Sequence, residues 1–363
     1  MTADTGESRS DTGELRDRLM TAAALDRDEF AAAGLVTGAL DDGMPAESVL
    51  LDLIAPVQAR VGTEWAANRL TVAQEHAASA IVERVITTLA HHPAARTEPT
   101  LGRITVACVE QEWHSLPARL LAEVLTLRGW KVDFLGAQVP TPHLVSHLHH
   151  SGADIVALSS SIPTRLPVAH AAITACQSVG VPVLAGGAAF GPDGRFARML
   201  GANAWAPDAR GAAEQLAAGL APPTPAGARQ RTDDLPHLLD QEYTLVSRAQ
   251  GQLVKQVLTQ LEDAFPAMAA YTAVQRERTA EDIAHIVEFL SVAIYTDDDE
   301  LFTTFMNWTA DILSARRVPA RSLPPVLDIL MAELRDFPRA LRSLHRARTL
   351  LAEAVAAPPG AHA

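Results

Sequence analysis

The chain is short of cysteine, of aromatic residues and of long apolar runs. Its 363 residues include two cysteines, Cys108 and Cys176. Both lie in apolar segments, which excludes a disulfide framework and suits the reduced thiols of a cytoplasmic protein. Although 48% of the residues are hydrophobic, no run of about 18 uncharged apolar residues occurs, so no membrane span is expected. The opening residues MTADTGESRSDTGE are polar and acidic and lack the basic-then-apolar order of a secretory signal. Basic residues are the minority, 30 Lys and Arg against 43 Asp and Glu, for a formal charge of -13. Nucleic-acid binding needs a basic footprint, so no direct nucleic-acid contact is expected of this soluble, cytoplasmic chain.

Three regions are present, separated by pattern. Residues 13–95 carry apolar residues at three- and four-residue spacing, broken at Gly43 and Pro45 and again at Asn68 to Thr71, which reads as a small helical bundle. Residues 101–221 alternate between near-continuous apolar strands (RITVACVE, KVDFLGA, DIVALSSS, VPVLAGGA, NAWAP) and helical stretches. That alternation predicts a parallel sheet covered on both faces, a flavodoxin-like (Rossmann-like) doubly wound α/β domain. After a Pro- and Gly-rich linker over 221–234, residues 236–356 read as helix only. There, the pair Thr279 and Asp282 is expected to cap a helix. The tail APPGAHA is expected to be loose.

Ligands of open α/β sheets bind beyond the carboxyl ends of the strands. Those ends carry Glu112-Trp113-His114 after the first strand, Ser159-Ser160-Ser161 after the third and Gly186-Gly187 after the fourth. Singly these read as a surface histidine, a cap and a turn. Together they offer one edge an imidazole, hydroxyls and a gap for close approach. No Gly-x-Gly-x-x-Gly follows the first strand, which excludes a dinucleotide site there. The histidines of PHLVSHLHH (His143, His147, His149, His150) have no third ligand type beside them and read as a solvated helix face.

The pattern Glu112-x-His114-x-x-Pro117, Ser159-x-Ser161 and Gly186-Gly187 is similar to the D-x-H-x-x-G, S-x-L and G-G signature of cobalamin-binding domains. The resemblance implies that His114 ligates cobalt from below, with the cofactor's own base displaced. Glu112 would orient that imidazole. Ser159, Ser161, Gly186 and Gly187 would border the cleft for the nucleotide tail, beside Trp113. Pro117 and Ser161 depart from the family pattern.

Ahead of this domain, Trp65, nine residues, then Glu75-His76 resembles the CarH-type adenosylcobalamin photoreceptors. By that resemblance Trp65 would pack on the adenosyl group, and Glu75 and His76 would bond it or meet the cobalt after light. Ala66 stands where that family has a histidine. No counterpart of the DNA-binding domain that precedes such bundles is expected in this chain.

The helices of 236–356 resemble a globin-like domain. His285 has Phe289 and Val292 on its face, and Tyr295, Phe302, Phe305 and Trp308 follow, with Arg316, Arg317 and Arg321 available for carboxylates. Bundle, cobalamin domain and globin-like domain in one chain resemble the photocobilins, which pair cobalamin with biliverdin. That implies biliverdin held by His285 and Tyr295, without a thioether since no cysteine follows Cys176. The expectation is a light sensor and not an enzyme, which forms a light-dependent homo-oligomer and signals to a separate partner. The alternatives are a corrinoid protein of a methyltransferase system and a cobalamin and haem redox sensor.

Overall fold

The computed structural model describes residues 4–223 and 235–356. Nearly all of the expected linker and the tail APPGAHA lie outside the described residues. Contacts divide the chain into two compact units, residues 1–229 and 230–363.

The first unit begins with helices. α1 (Asp4–Met20) runs into a π-helical turn (Thr21–Asp26), and α2 (Glu29–Asp41) starts where the Asp28 side chain accepts from the Ala31 amide. α3 (Ala46–Ser48) passes through a second π-helical turn (Val49–Ile54) into α4 (Ala55–Ala66). α5 (Val72–His91) opens on a capping box: Thr71 Oγ1 accepts from the Gln74 amide, and Gln74 accepts from the Thr71 amide. The apolar faces of these helices close on Leu50, Leu53, Ile54, Val61, Val82 and Ile86, all buried.

The sheet follows: β1 (Arg103–Cys108), α6 (Leu116–Leu127), β2 (Lys131–Gly136), α7 (Thr141–Ser151), β3 (Ile155–Ser159), α8 (Leu166–Ser178), β4 (Val183–Gly186), α9 (Arg195–Met199), β5 (Ala204–Ala206) and α10 (Ala209–Ala218). All strands pair in parallel, in the order β2-β1-β3-β4-β5. The order reverses between β1 and β3, so their carboxyl ends flank the crevice where doubly wound sheets take ligands.

The bundle and the sheet share a core. Leu116, Leu120 and Val124 of α6 belong to the same buried cluster as the bundle helices. At its margin Arg128 grips Glu47 through two bonds of 2.7 and 3.0 Å, and Arg210 grips Asp52 through two of 2.9 and 2.7 Å.

The second unit contains α11 (Glu242–Arg248), α12 (Gln250–Ala264), α13 (Ala273–Thr296), α14 (Asp299–Ala315), α15 (Leu323–Glu333) and α16 (Pro338–Ala356). α13 starts earlier than the sequence suggested. A capping box of Thr272 and Gln275 satisfies its first turn, and Thr279 lies inside the helix with its hydroxyl bonded back to the Gln275 carbonyl. Buried Arg339 joins the start of α16 to the segment before α11 by pairing with Asp240 at 2.6 and 2.8 Å.

The two glycines after β4 have different causes. Gly187 has φ +99°, and a Cβ there would sit 2.2 Å from the Ser160 carbonyl oxygen, which accepts from the Ala189 amide at 3.1 Å. Gly186 has no such strain; a Cβ would meet only the Ala206 carbonyl, at 3.6 Å. Gly187→Ala is therefore expected to lower the unfolding free energy by about 2–4 kcal/mol. Gly186→Ala should change it by less than about 1 kcal/mol. Urea unfolding of the two variants checks the contrast, and equal losses would remove it.

Candidate functional site

A cavity of about 760 Å³ lies in the first unit between the bundle and the carboxyl edge of the sheet. That is within the range of small-molecule sites. Its floor comes from the loops after β1, β3, β4 and β5, with His114, Ser159, Ser161, Gly186 and Gly187 all contributing. Its roof comes from α4 and α5, including Ala55, Gln58, Glu75, His76 and Ser79.

Glu112 organises the floor. Its side chain is fully buried, in contact with five donors from two loops. Oε1 accepts from the His114 amide at 2.9 Å and bonds His114 Nδ1 at 2.7 Å. Oε2 accepts from the amides of Ser161 and Ile162 at 2.6 and 3.1 Å and from Ser160 Oγ at 3.3 Å. Burial alone would raise the carboxyl pKa. The bonds from His114, Ser161 and Ile162 outweigh it and hold the group down at about 2. The same bond raises the His114 pKa above the usual histidine value, against burial, with the charges of Glu112 and of Glu75 on the roof adding to the effect. With Nδ1 committed to the carboxylate, Nε2 is the ring nitrogen left for a metal or a ligand.

Beneath the loop, burial pushes the Cys108 thiol up to about 12. It therefore stays protonated and donates to the His114 carbonyl at 3.7 Å. The Gln111 backbone has φ +66°, a left-handed turn that brings Glu112 inward from the end of β1.

The roof carries a second carboxylate–imidazole pair. Glu75 Oε2 bonds His76 Nδ1 at 2.6 Å, while Glu75 Oε1 accepts from Ser79 Oγ at 2.9 Å. Ser79 Oγ in turn accepts from Gln58 Nε2 at 2.6 Å. Floor and roof also touch directly, through Ser115 Oγ and Glu83 Oε1 at 3.1 Å.

The residues expected from the sequence divide as follows. Glu75, His76, Trp113, His114, Ser159, Ser161, Gly186 and Gly187 all line the cavity, and Glu112 stands behind His114. Trp113 is 71% exposed and sits on the rim. Trp65 is half-buried against the bundle core and is not among the cavity residues. In the second unit His285 is exposed on α13, whereas Tyr295 is 1% exposed, ring against ring with Tyr243 in the core. The structure does not bring these two together, because ten residues along a helix turn them to different faces. Val292 and Phe302 are likewise core. His147 Nε2 lies 3.3 Å from Asp133 Oδ2, and no group of three or more potential ligands gathers for a metal among the described residues. No helix among them is long and apolar enough to cross a membrane.

Ser160 was named from the sequence only as part of the run of hydroxyls after β3, and Gln58 and Ser79 were not singled out from the sequence. The signal that would have found the last two is the run of small residues, Ala55 with Ala59 and Ser79 with Ala80, which thins facing helices where a ligand needs room.

Comparison with known proteins agrees with this site. Residues 102–217 and residues 17–90 each match a family described as a B12 binding domain. Among curated proteins, the HTH-type transcriptional repressor CarH of Myxococcus xanthus is 31% identical over 165 residues, 42% of this chain and 52% of that protein. The repressor CarA of the same organism is 31% identical over 182 residues, 48% of this chain and 58% of that protein. The chain thus spans little more than half the length of these relatives. Among solved structures, a monomethylamine corrinoid protein of Methanosarcina barkeri aligns at 20% identity with a TM-score of 0.49, covering 56% of this chain and 96% of that one. A cobalamin-binding protein of Desulfitobacterium hafniense aligns at 20% identity with a TM-score of 0.31, covering 55% and 95%. The first unit carries two B12-binding domain matches in succession, and a cobalamin is the cofactor they indicate.

The Glu112–His114 pair gives a pH signature. Folding lowers the Glu112 pKa, so its contribution is present above about 4.5 and is lost as pH falls toward 2. Folding raises the His114 pKa, so its contribution is present below 6.5 and fades as pH rises through the raised value. Glu112→Gln, which turns an amide NH₂ toward backbone donors, is expected to cost about 2–4 kcal/mol near pH 6. The gap to the parent should narrow toward about pH 3. Urea unfolding of cobalamin-free protein across that range measures it, and a gap that does not change with pH would rule out the ionised pair.

Proposed function

We propose that the protein is a light sensor, not an enzyme, which holds adenosylcobalamin in the cavity between bundle and sheet. The supporting observation is that two imidazoles, His114 on the floor and His76 on the roof, line one cavity, each with Nδ1 bonded to a carboxylate. The cofactor supplies a cobalt–carbon bond that light breaks. The chain's own residues do the rest. His114 would hold the cobalt through Nε2, because Glu112 fixes its ring through Nδ1. Ser159 and Ser161 offer hydroxyls to the nucleotide tail, and Gly186 leaves the space that its missing side chain would fill. Glu75 and His76, which line the roof of the cavity, would meet the upper ligand. With Ala66 where the resembled family has a histidine, His76 is the imidazole on the roof available to the cobalt after light. Trp65 acts at one remove, through the packing of α4.

With nothing between roof and floor, the bundle would be held by its apolar contacts with α6 and the ion pairs at their margin. The bundle would then shift on α6, changing the oligomeric state of the chain and its contact with a signalling partner. The similarity to CarH and CarA supports the sensor reading over a corrinoid methyl carrier, which has no use for Glu75-His76.

In the second unit, which we read as globin-like, the proposed second chromophore is biliverdin, held without a covalent bond. Its supporting feature is a face on which Phe289 and Phe305 stack at 3.7 Å with their planes 5° apart and Trp308 follows 6.2 Å away, 47% exposed. His285 lies one turn before Phe289. Tyr295, 1% exposed, lies in the core behind this face, which Phe305 and Trp308 offer instead.

The test is an absorption spectrum and a sizing column on dark-reconstituted protein, before and after green light. Loss of the adenosylcobalamin bands with a change in elution volume is expected, together with a red bilin band free of iron features. His114→Ala should abolish the histidine-ligated cobalt spectrum. A cobalamin spectrum indifferent to light would leave the methyl carrier in front, and iron-type bands would favour the haem sensor.

A further inference from the structure

A second cavity, of about 380 Å³, lies beside the first along the seam between α5 and the start of α6. The two share Ala80, Glu83 and Ser115 as walls. Beyond these, the second is lined by Arg84 of α5, Arg119 of α6 and Phe134 of β2. Ser115 follows His114 directly, so this cavity begins one residue from the imidazole on the floor.

Its charges are opposite in sign and do not pair with each other. Glu83 accepts from Ser115 Oγ through Oε1, at 3.1 Å, and Oε2 has no bond among the described residues. Arg119 donates to Glu123 through Nε, at 2.7 Å, with its guanidinium carbon 5.6 Å from the centre of the Phe134 ring. Its terminal nitrogens have no bond among the described residues. Arg84 pairs with Glu29 through Nε, at 2.6 Å. A carboxylate and a guanidinium lining one cavity would gain from direct bonds. Here each is held by another partner, which leaves the cavity with a free acceptor and free donors.

That arrangement restricts what fits. An anion would be repelled by Glu83, and a cation by Arg84 and Arg119. A neutral group with a donor and an acceptor on one carbon meets neither objection. A primary carboxamide is such a group, with an NH₂ to donate to Glu83 and an oxygen to accept from Arg119. Cobalamins carry carboxamide arms around the rim of the corrin. We infer that the second cavity is a subsite for one of these arms, with Glu83 and Arg119 as its specificity-determining residues. This rests on the cobalamin reading of the first cavity and adds to it a site for the edge of the corrin.

The test uses the full chain in the dark. Calorimetry measures its affinity for adenosylcobalamin and for the singly hydrolysed analogues, in each of which one carboxamide is a carboxylate. One analogue should bind about 10-fold more weakly than adenosylcobalamin, because its carboxylate meets Glu83 and has lost the donor. Glu83→Gln removes the like charge and should narrow that gap to within about threefold. Arg119→Gln removes the opposite charge and should widen it for the same analogue. The gap is a ratio within one variant, so a general loss of affinity cancels. If the parent binds every analogue as tightly as adenosylcobalamin, the subsite is overturned. A gap that neither variant changes places the discrimination elsewhere and overturns it too. If the parent takes up no cobalamin at all, the reading of the first cavity fails and the inference falls with it.

Discussion

A carboxylate taken fully out of water is costly unless every lone pair is answered, and Glu112 is answered five times. Two of its donors come from its own turn, the amide and the ring of His114. Three come from the segment after β3, the hydroxyl of Ser160 and the amides of Ser161 and Ile162. These loops sit on either side of the point where the strand order reverses. A single side chain thus closes the crevice from below and fixes the imidazole that faces it. Any change that moves the β3 loop also moves His114, because the same carboxylate holds both. The close approach at Gly187 extends this rigidity, since the Ser160 carbonyl is held by the turn after β4.

The roof is held by different forces. Its docking on α6 is chiefly apolar, through Leu116, Leu120 and Val124. The ion pairs at the margin, Arg128 with Glu47 and Arg210 with Asp52, are partly exposed and contribute little each. An apolar contact of this kind is not directional, so it tolerates sliding in a way that the hydrogen-bonded floor does not. The cavity accordingly has one wall fixed by directional bonds and one held chiefly by apolar packing.

The strands were legible because their near-continuous apolar runs admit one arrangement, a parallel sheet covered on both faces. Once that is granted, the residues at the strand ends must meet, and His114, Ser159, Ser161, Gly186 and Gly187 do. Helices are harder. Periodicity gives an apolar face but not what the face will meet. Trp65 therefore read as cavity and is half-buried against the bundle core, while Gln58 read as nothing and lines the cavity. The same ambiguity put Tyr295 and His285 in one site when one is core and the other exposed. Thr279 looked like a cap because it precedes an acidic residue, yet Thr272 and Gln275 had already satisfied the first turn of α13.

The two carboxylate–imidazole pairs are alike in bonding and unlike in setting. Glu112 has no exposed surface, and its pair cannot loosen without stranding a buried charge. On the roof, Glu75 is 26% and His76 75% exposed, so that pair can separate with water taking over its bonds. An imidazole with a buried partner keeps one orientation whatever stands above it. One with a solvated partner can turn when its surroundings change. In the proposed sensor the lower ligand would persist while the upper one leaves, and the different burial of the two glutamates would suit that. The roof pair is also the one tied, through Ser79 Oγ, to the amide nitrogen of Gln58. Gln58, Ser79, Glu75 and His76 are therefore parts of one hydrogen-bonded chain on the roof, in contrast to the single buried carboxylate that organises the floor.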